Sequence, residues 1–558
     1  MGREQQTKKI LFTSVWRPIG PSVGDGESVG YELLHGQVTR AQGIYSPRVV
    51  HKQFSLDYIA ENLDTPSKVL HYPSKARLRR ELQNNYDVVA IAFVLSTSHH
   101  AIAMCQLIRS VAPKTKIILG GYGTVMSDEE LLPYCDTICR EEGVTFMRKY
   151  LGQPALDQDN YVHPHIFSRM RIFGIPVSVT GMVFAGLGCP NACDFCCTSH
   201  YFKNQHIRLL PTGKSIFDLM HTQRQKYPDC DHTILDEDFL LSKTRAHDFL
   251  ELCREKQVAF STFCFASVKA LKQYTCDELL EMGIDGVWVG YEGKAAGYEK
   301  HRGVNIDEFI KNLQAHGITV LTSMILGIPY QSDEIARAEF DALMETNPSL
   351  SQFLIYGPIP GTPFYEKVMK EELMHGDLIK DRRQFYKQCT GFYAMMKHPF
   401  LRRDEIEQLQ RDFYQRDFEQ LGPSIFRIAQ IKLNGYLKYR NHANPLLRKK
   451  AECFRQKLMT FLAILPCGIL GPKISWKHRL AYSKLFIKIL GMSSFKEKRY
   501  LLGIPVMLGA AAFTWINSKL NLHEHPFTRV FSYLGRKPIV PASPEVEFLG
   551  QSPTYESV

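Results

Sequence analysis

No internal repeat and no low-complexity tract is found in the 558 residues, which excludes a solenoid or an array of copied units. The stretch from Met1 to Lys9 is polar and lacks the apolar run of a secretory signal, so export is not expected. Fourteen Cys without such a signal point to a reducing compartment, where thiols serve metals or sit buried as small hydrophobes. Acids are almost missing from one region. Between Ile425 and Tyr500, 17 Lys and Arg stand against Glu452 and Glu497 alone. That segment is therefore +15 and the remainder of the +11 chain is −4. The excess belongs to one region and suggests an anionic surface as partner, either membrane or nucleic acid.

The chain is too long for one hydrophobic core, and three or so domains are expected. A hydrophobic content of 44% with 22% charge excludes global disorder. Residues 9–15 and 87–94 read as strands, 101–108 as helix, and Lys116-Ile117-Ile118-Leu119 as a strand running into Gly120-Gly121. Val- and Ile-rich strands separated by helices predict a doubly wound, Rossmann-like parallel sheet over 1–155. Ligands in such sheets lie at the strands' carboxyl ends, where Ser96, Thr97, Ser98, Gly120 and Gly121 fall. A loop-like stretch, roughly Gln153 to Pro176, marks the boundary. Alternation then resumes over 176–397, with strands predicted at 232–235, 260–263, 286–289 and 319–322, which fits a β/α barrel, complete or partial. A basic, mostly helical region is expected over 398–535 and a disordered tail over 536–558.

The segment Gly186-Leu187-Gly188-Cys189-Pro190-Asn191-Ala192-Cys193-Asp194-Phe195-Cys196 follows a strand candidate, residues 181–184. Thiolates are the soft ligands that iron–sulfur clusters need, and this spacing lets one loop wrap one 4Fe–4S cube. Three ligands leave one iron open to a further molecule. A closed zinc site instead wants a fourth nearby ligand, for which Cys197 and His200 are the candidates.

The Cys-x3-Cys-x2-Cys pattern, with Phe195 before the third Cys, is the signature of the radical S-adenosylmethionine (SAM) superfamily. Over about residues 8 to 395 the chain resembles its cobalamin-binding members, the cobalamin-dependent radical SAM methylases. Matching segments are Asp236-Glu237-Asp238-Phe239, Gly290-Tyr291-Glu292, Lys300-His301-Arg302-Gly303, Leu326-Gly327-Ile328-Pro329 and Pro358-Ile359-Pro360-Gly361-Thr362-Pro363. In the first domain, residues 95–100, 119–124 and 140–143 resemble the family's cobalamin domain. An Asp-x-His-x-x-Gly sequence, the source of a cobalt-ligating histidine in some cobalamin proteins, is not present.

The resemblance implies a 4Fe–4S cluster on Cys189, Cys193 and Cys196, with SAM chelated at the open iron and its amino group gripped by Glu237. Phe195 and Glu292 join the implied cofactor contacts, and Ser96–Ser98 with Gly120-Gly121 are those toward cobalamin. It further implies cleavage of SAM to a 5′-deoxyadenosyl radical, hydrogen abstraction from an unactivated carbon, and methyl delivery from cobalamin. An electron donor such as ferredoxin or flavodoxin is then expected. Radical cyclisation or rearrangement, and peptide or RNA modification, are the alternatives within enzymes; a cobalamin sensor would have no use for an open iron.

The basic region carries uncharged blocks at Leu458–Pro472 and Tyr500–Ser518. Lys and Arg beside apolar surface suit an interfacial membrane element, and a helical cap on the barrel is the plainer alternative. Nucleic acid is not expected, since the aromatics fall at helical spacing. Membrane contact suggests a lipid or other hydrophobic small molecule as substrate, and a cytoplasmic protein peripheral to the inner face of the membrane.

Overall fold

The computed structural model describes residues 8–16, 37–49, 52–292, 305–520 and 529–536. Lys300–Gly303 and the tail after Arg536 lie outside the described residues.

β1 (Ile10–Ser14) is buried along its whole length. After it the chain crosses to the second unit and lays down the short β2 (Arg48–Val49) there. It returns as β3 (Ser67–His71), β4 (Val88–Ala92), β5 (Lys116–Gly120) and β6 (Thr137–Ile138). These pair in parallel in the order β3-β1-β4-β5-β6. Such strands read as continuous apolar runs because both faces are covered. Leu11, Val89, Ile91 and Leu119 enter one core cluster, while Ile10, Phe12, Val88 and Ala90 enter another.

The second sheet is ordered β15-β14-β13-β12-β11-β8-β7-β2. It comprises β7 (Ile166–Ile172), β8 (Ile175–Phe184), β11 (Asp231–Leu235), β12 (Thr262–Phe265), β13 (Ile284–Glu292), β14 (Thr319–Leu326) and β15 (Leu350–Ile355). From β8 to β15 the strands are parallel, and the edge strand β15 has no partner strand on its far side among the described residues. The result is a partial β/α barrel of six parallel strands. β9 (Gly186–Leu187) and β10 (Ile207–Arg208) form a separate antiparallel pair.

The stretch 153–176 is not all loop: β7 occupies much of it and forms a hairpin with β8. Phe173 and Gly174 both have positive φ, 51° and 79°, as a two-residue type I′ turn demands. A Phe in the first turn position hides the usual sequence cue. Predicted strands elsewhere fall near the observed ones, with 260–263 realised two residues later as Thr262–Phe265.

Five helices follow, Arg403–Leu421, Ser424–Tyr439, Pro445–Leu470, Trp476–Met492 and Ile504–Lys519. They are fastened under the barrel by buried lysines. Lys432 Nζ donates to the Asp285 carbonyl at 2.6 Å. Lys450 Nζ donates to the Gly283 carbonyl and lies 2.8 Å from the Asp285 carboxylate. The chain ends its described course in β16 (Arg529–Tyr533), which adds antiparallel to β3 of the first sheet.

Candidate functional site

The cysteine segment is pinned at its base by the β9–β10 pair, Ile207 opposite Leu187 and Arg208 opposite Gly186. Gly188 has φ +76°, and a Cβ there would collide with the Gln205 carbonyl, so the turn into Cys189 requires glycine. The Cys196 N–H donates to the Cys193 carbonyl at 3.0 Å, and the helix Cys197–Tyr201 begins directly after. Cys189, Cys193 and Cys196 are all half-buried. Burial pushes the Cys189 thiol up to about 11, and Asp238, Cys196 and Glu237 push the same way. Burial, with Cys196 and Glu237 beside it, takes Cys197 up to about 12. His200 Nε2 is 3.0 Å from the Cys193 carbonyl, so that nitrogen is engaged with backbone.

Three consecutive carboxylates follow β11. Arg245 Nη2 donates to Asp236 at 2.5 Å and His206 lies 3.1 Å away. Burial opposes the charge of Asp236, but His206 and Arg245 outweigh it and hold the carboxyl below its usual range. Asp238 accepts from the Asn191 side chain at 3.4 Å and from the Ser267 N–H at 3.3 Å, which ties the cysteine loop to the next barrel loop. Glu237 differs from both: the residue is solvent-exposed, and the protein crowding its carboxyl, with Asp236 beside it, raises it to about 7. Its carboxyl is near enough to Cys189, Cys197 and Tyr122 to act on each of them. Glu292 ends β13, 6% exposed, with a left-handed φ of 59°. A non-glycine residue held there stores backbone strain of the kind concentrated at functional sites.

Phe195 meets Tyr356 edge-on at 5.7 Å, and Tyr356 packs on Phe364 at 4.1 Å. The Phe364 N–H donates to the Asp194 carbonyl at 3.1 Å. The loop after β15 is thereby fastened to the cysteine loop.

Ser96 and Thr97 lie in a 3-10 turn at the carboxyl end of β4, and Ser98 opens the helix Ser98–Val111. Thr97 Oγ1 donates to the Val94 carbonyl at 3.0 Å. Gly120 ends β5 and Gly121 follows at φ +88°. A Cβ on Gly121 would sit 2.7 Å from the Phe93 carbonyl, so Phe93 itself accounts for that glycine. Ser96 Oγ is buried without a protein partner.

The two units meet at these strand ends. Tyr122, directly after Gly120-Gly121, packs edge-on against Tyr201 at 5.1 Å and against Phe202 at 6.2 Å. Tyr201 OH lies 3.0 Å from Thr124 Oγ1 and donates to the Cys139 carbonyl at 3.2 Å. Tyr122 and Tyr201 were not singled out by the sequence reading; only the adjacency of Tyr122 to the glycine pair pointed toward it.

The donor set fits the implied groups. Among the described residues, no three His, Cys, Asp or Glu converge as ligands of a single ion must. Three thiols spread along one loop suit a cluster, in which each takes a different iron. At the facing sheet, the partnerless hydroxyl of Ser96 offers a hydrogen bond to a polar cofactor edge.

No family model matches the chain. It is 21% identical over 371 residues to the "Uncharacterized methyltransferase PH0819" of Pyrococcus horikoshii, covering 59% of this chain and 78% of that one. It is 24% identical over 208 residues to the bacteriochlorophyllide d C-12(1)-methyltransferase of Chlorobaculum tepidum, covering 36% and 44%. Both of these relatives are methyltransferases by name. Two solved structures of the radical SAM methyltransferase TsrM from Kitasatospora setae also match. The one with tryptophan and aza-SAM gives TM-score 0.47 at 14% identity, covering 65% of this chain and 76% of that one. The one with cobalamin and a [4Fe-4S] cluster gives 0.49 at 12%, covering 81% and 99%.

Proposed function

We propose that this chain is a cobalamin-dependent radical SAM methyltransferase acting on a carbon of a lipid or other hydrophobic small molecule. The observation that carries the reading is the seam. A three-cysteine loop, an accessible carboxyl without a cation at Glu237 and the carboxyl ends of a doubly wound sheet meet through Tyr122, Thr124 and Tyr201.

When bound, the cluster with SAM supplies a radical able to abstract hydrogen, and cobalamin supplies the methyl group. The chain's own residues do the rest. Cys189, Cys193 and Cys196 would hold the cluster by three irons, leaving one for SAM. Glu237, accessible and without a cation, would receive the SAM ammonium through charge-assisted hydrogen bonds. Phe195, Tyr356 and Phe364 close one side with rings that exclude water. By strand alternation, Phe263, Phe265 and Trp288 point into the barrel, partly exposed, and Phe265 stacks on Trp288 at 5.0 Å. That lining supports an apolar substrate. The electron comes from a donor of ferredoxin or flavodoxin type, and the expected setting is the cytoplasm.

The test is anaerobic incubation of the reconstituted enzyme with SAM, methylcobalamin, a reductant and a total lipid extract of the source. Mass spectrometry should find 5′-deoxyadenosine, S-adenosylhomocysteine and a lipid gaining one methylene mass. Deoxyadenosine without homocysteine product would replace methylation by rearrangement or cyclisation.

A further inference from the structure

Most of the large apolar side chains exposed on this protein are gathered in one place. More than half of those among the described residues lie between 470 and 520. They form two stripes. Trp476, Leu480 and Ile487 repeat at i, i+4 and i+11 on one helix, and Val506, Phe513 and Ile516 at i, i+7 and i+10 on the next. Both spacings keep the residues on one helical face. Between the helices, Phe495 is 92% exposed and Leu502 80%. Helix Ile504–Lys519 buries only Met507 and Ala511, packed along helix Pro445–Leu470.

The charges beside these stripes have one sign. Lys473, Lys477, Lys484, Lys488, Lys496 and Lys498 are exposed, and among the described residues none of their ammonium groups is hydrogen-bonded or ion-paired. The single acid between 470 and 520, Glu497, is committed: it accepts from Arg455 at 2.8 Å and from the Ser494 N–H at 2.8 Å.

We propose that the segment Trp476–Lys519 is a docking face for an anionic lipid bilayer, lying in the interface with its apolar residues at acyl-chain level. Lysines lining an apolar stripe do two jobs at such a surface, extending their heads to phosphates while their stems cover hydrocarbon. A second copy of the chain is the poorer occupant, because a two-fold contact through this patch would set lysine against lysine with no acid between. The segment Glu497–Lys519 is 23 residues and long enough to cross a bilayer. Its helix, however, is held lengthwise against the folded helix Pro445–Leu470 by Met507 and Ala511, and Gly503 closes on Ala463. An in-plane position keeps that packing; a span would break it. Since the lysines of the neighbouring helices fasten this region to the starts of the barrel strands, docking holds the protein by its base. The candidate site at the strand ends then faces away from the bilayer surface. The proposal does not depend on the reaction assigned above.

The test is flotation of the full-length holoprotein with phosphatidylcholine vesicles with and without phosphatidylglycerol. Binding is expected only with phosphatidylglycerol, and high salt should release it. Phe495→Glu with Leu502→Glu should cut the bound fraction at least tenfold. Each of Lys484→Glu and Lys488→Glu should cut it roughly fivefold. Phe400→Glu, at an exposed apolar residue elsewhere, should leave it unchanged. Unaltered iron content and circular dichroism certify the variants as folded. The proposal is overturned if the protein floats with neither vesicle, floats equally with both, or stays bound at high salt as a spanning helix would. It is equally overturned if sedimentation shows dimers that Phe495→Glu dissolves while no vesicle binds.

Discussion

Asp236, Glu237 and Asp238 are neighbours in sequence with three different roles. Asp236 is spent on Arg245 and His206, Asp238 on Asn191 and Ser267, and Glu237 is left accessible and without a cation. Asp236→Asn should therefore unfold the site by stranding the buried Arg245, at a cost of about 3–5 kcal/mol in chemical denaturation. Glu237→Gln should keep the fold and the iron. Its SAM affinity should fall roughly tenfold to a hundredfold by calorimetry, the range for losing a charge-assisted hydrogen bond. An unchanged affinity would move the ammonium contact elsewhere. The cysteines and this acidic trio were legible because their chemistry is carried in short contiguous spacings. Tyr122 and Tyr201 were not, since nothing in a linear pattern says that residues so far apart in the chain share a ring contact. The strained backbone of Glu292 is likewise invisible before folding; only its position at a strand end was readable.

At the scale of elements, the alternation of strands and helices was legible wherever apolar runs were continuous, as in β1, β4 and β5. The hairpin strand β7 was hidden by Arg169 and Arg171 on its solvent-facing side and by a turn with Phe in place of the usual Asn or Asp. β16 was hidden because its partner, β3, lies hundreds of residues earlier. The lysines of the basic region also divide in a way that composition does not show. Lys432 and Lys450 are buried against Asp285, whereas those after 470 are solvent-exposed. Burial opposes the charge of Asp285, but Lys432, Lys450 and Lys457 hold it ionised. Asp285→Asn should thus cost about 3–5 kcal/mol by leaving ammonium groups buried and unpaired. Lys450→Met, which removes one of them, should cost less.

A smaller clip joins helix Pro445–Leu470 to the turn before Ile504. The Arg455 hydrogen bond, with the Ser494 N–H, lowers Glu497 to about 2. A carboxyl depressed in the folded state stabilises above its unfolded range and loses that contribution as pH falls toward 2. Because the pair is partly exposed, its worth is about 0.5–1 kcal/mol. Denaturation of Glu497→Gln should show that deficit at pH 6, and the difference from the parent should vanish by about pH 2.

For the whole molecule, the two α/β units share one core. Leu11, Val89 and Leu119 of the first sheet fall in the same cluster as Ile325, Tyr356, Phe364 and Phe385 of the second unit. The sequence separates these units cleanly by composition, yet the strand ends are packed into each other. This places the cysteine loop against the sheet expected to hold cobalamin, and the resemblance to methyltransferases gives that juxtaposition its chemical sense. The most direct test of the account is iron content and electron paramagnetic resonance after anaerobic reconstitution, in the parent and in Cys193→Ala. About four irons per chain are expected, with a reduced-cluster signal that shifts on adding SAM, both lost in the variant. Four irons retained by Cys193→Ala, or a signal indifferent to SAM, would contradict an open-site cluster on this loop.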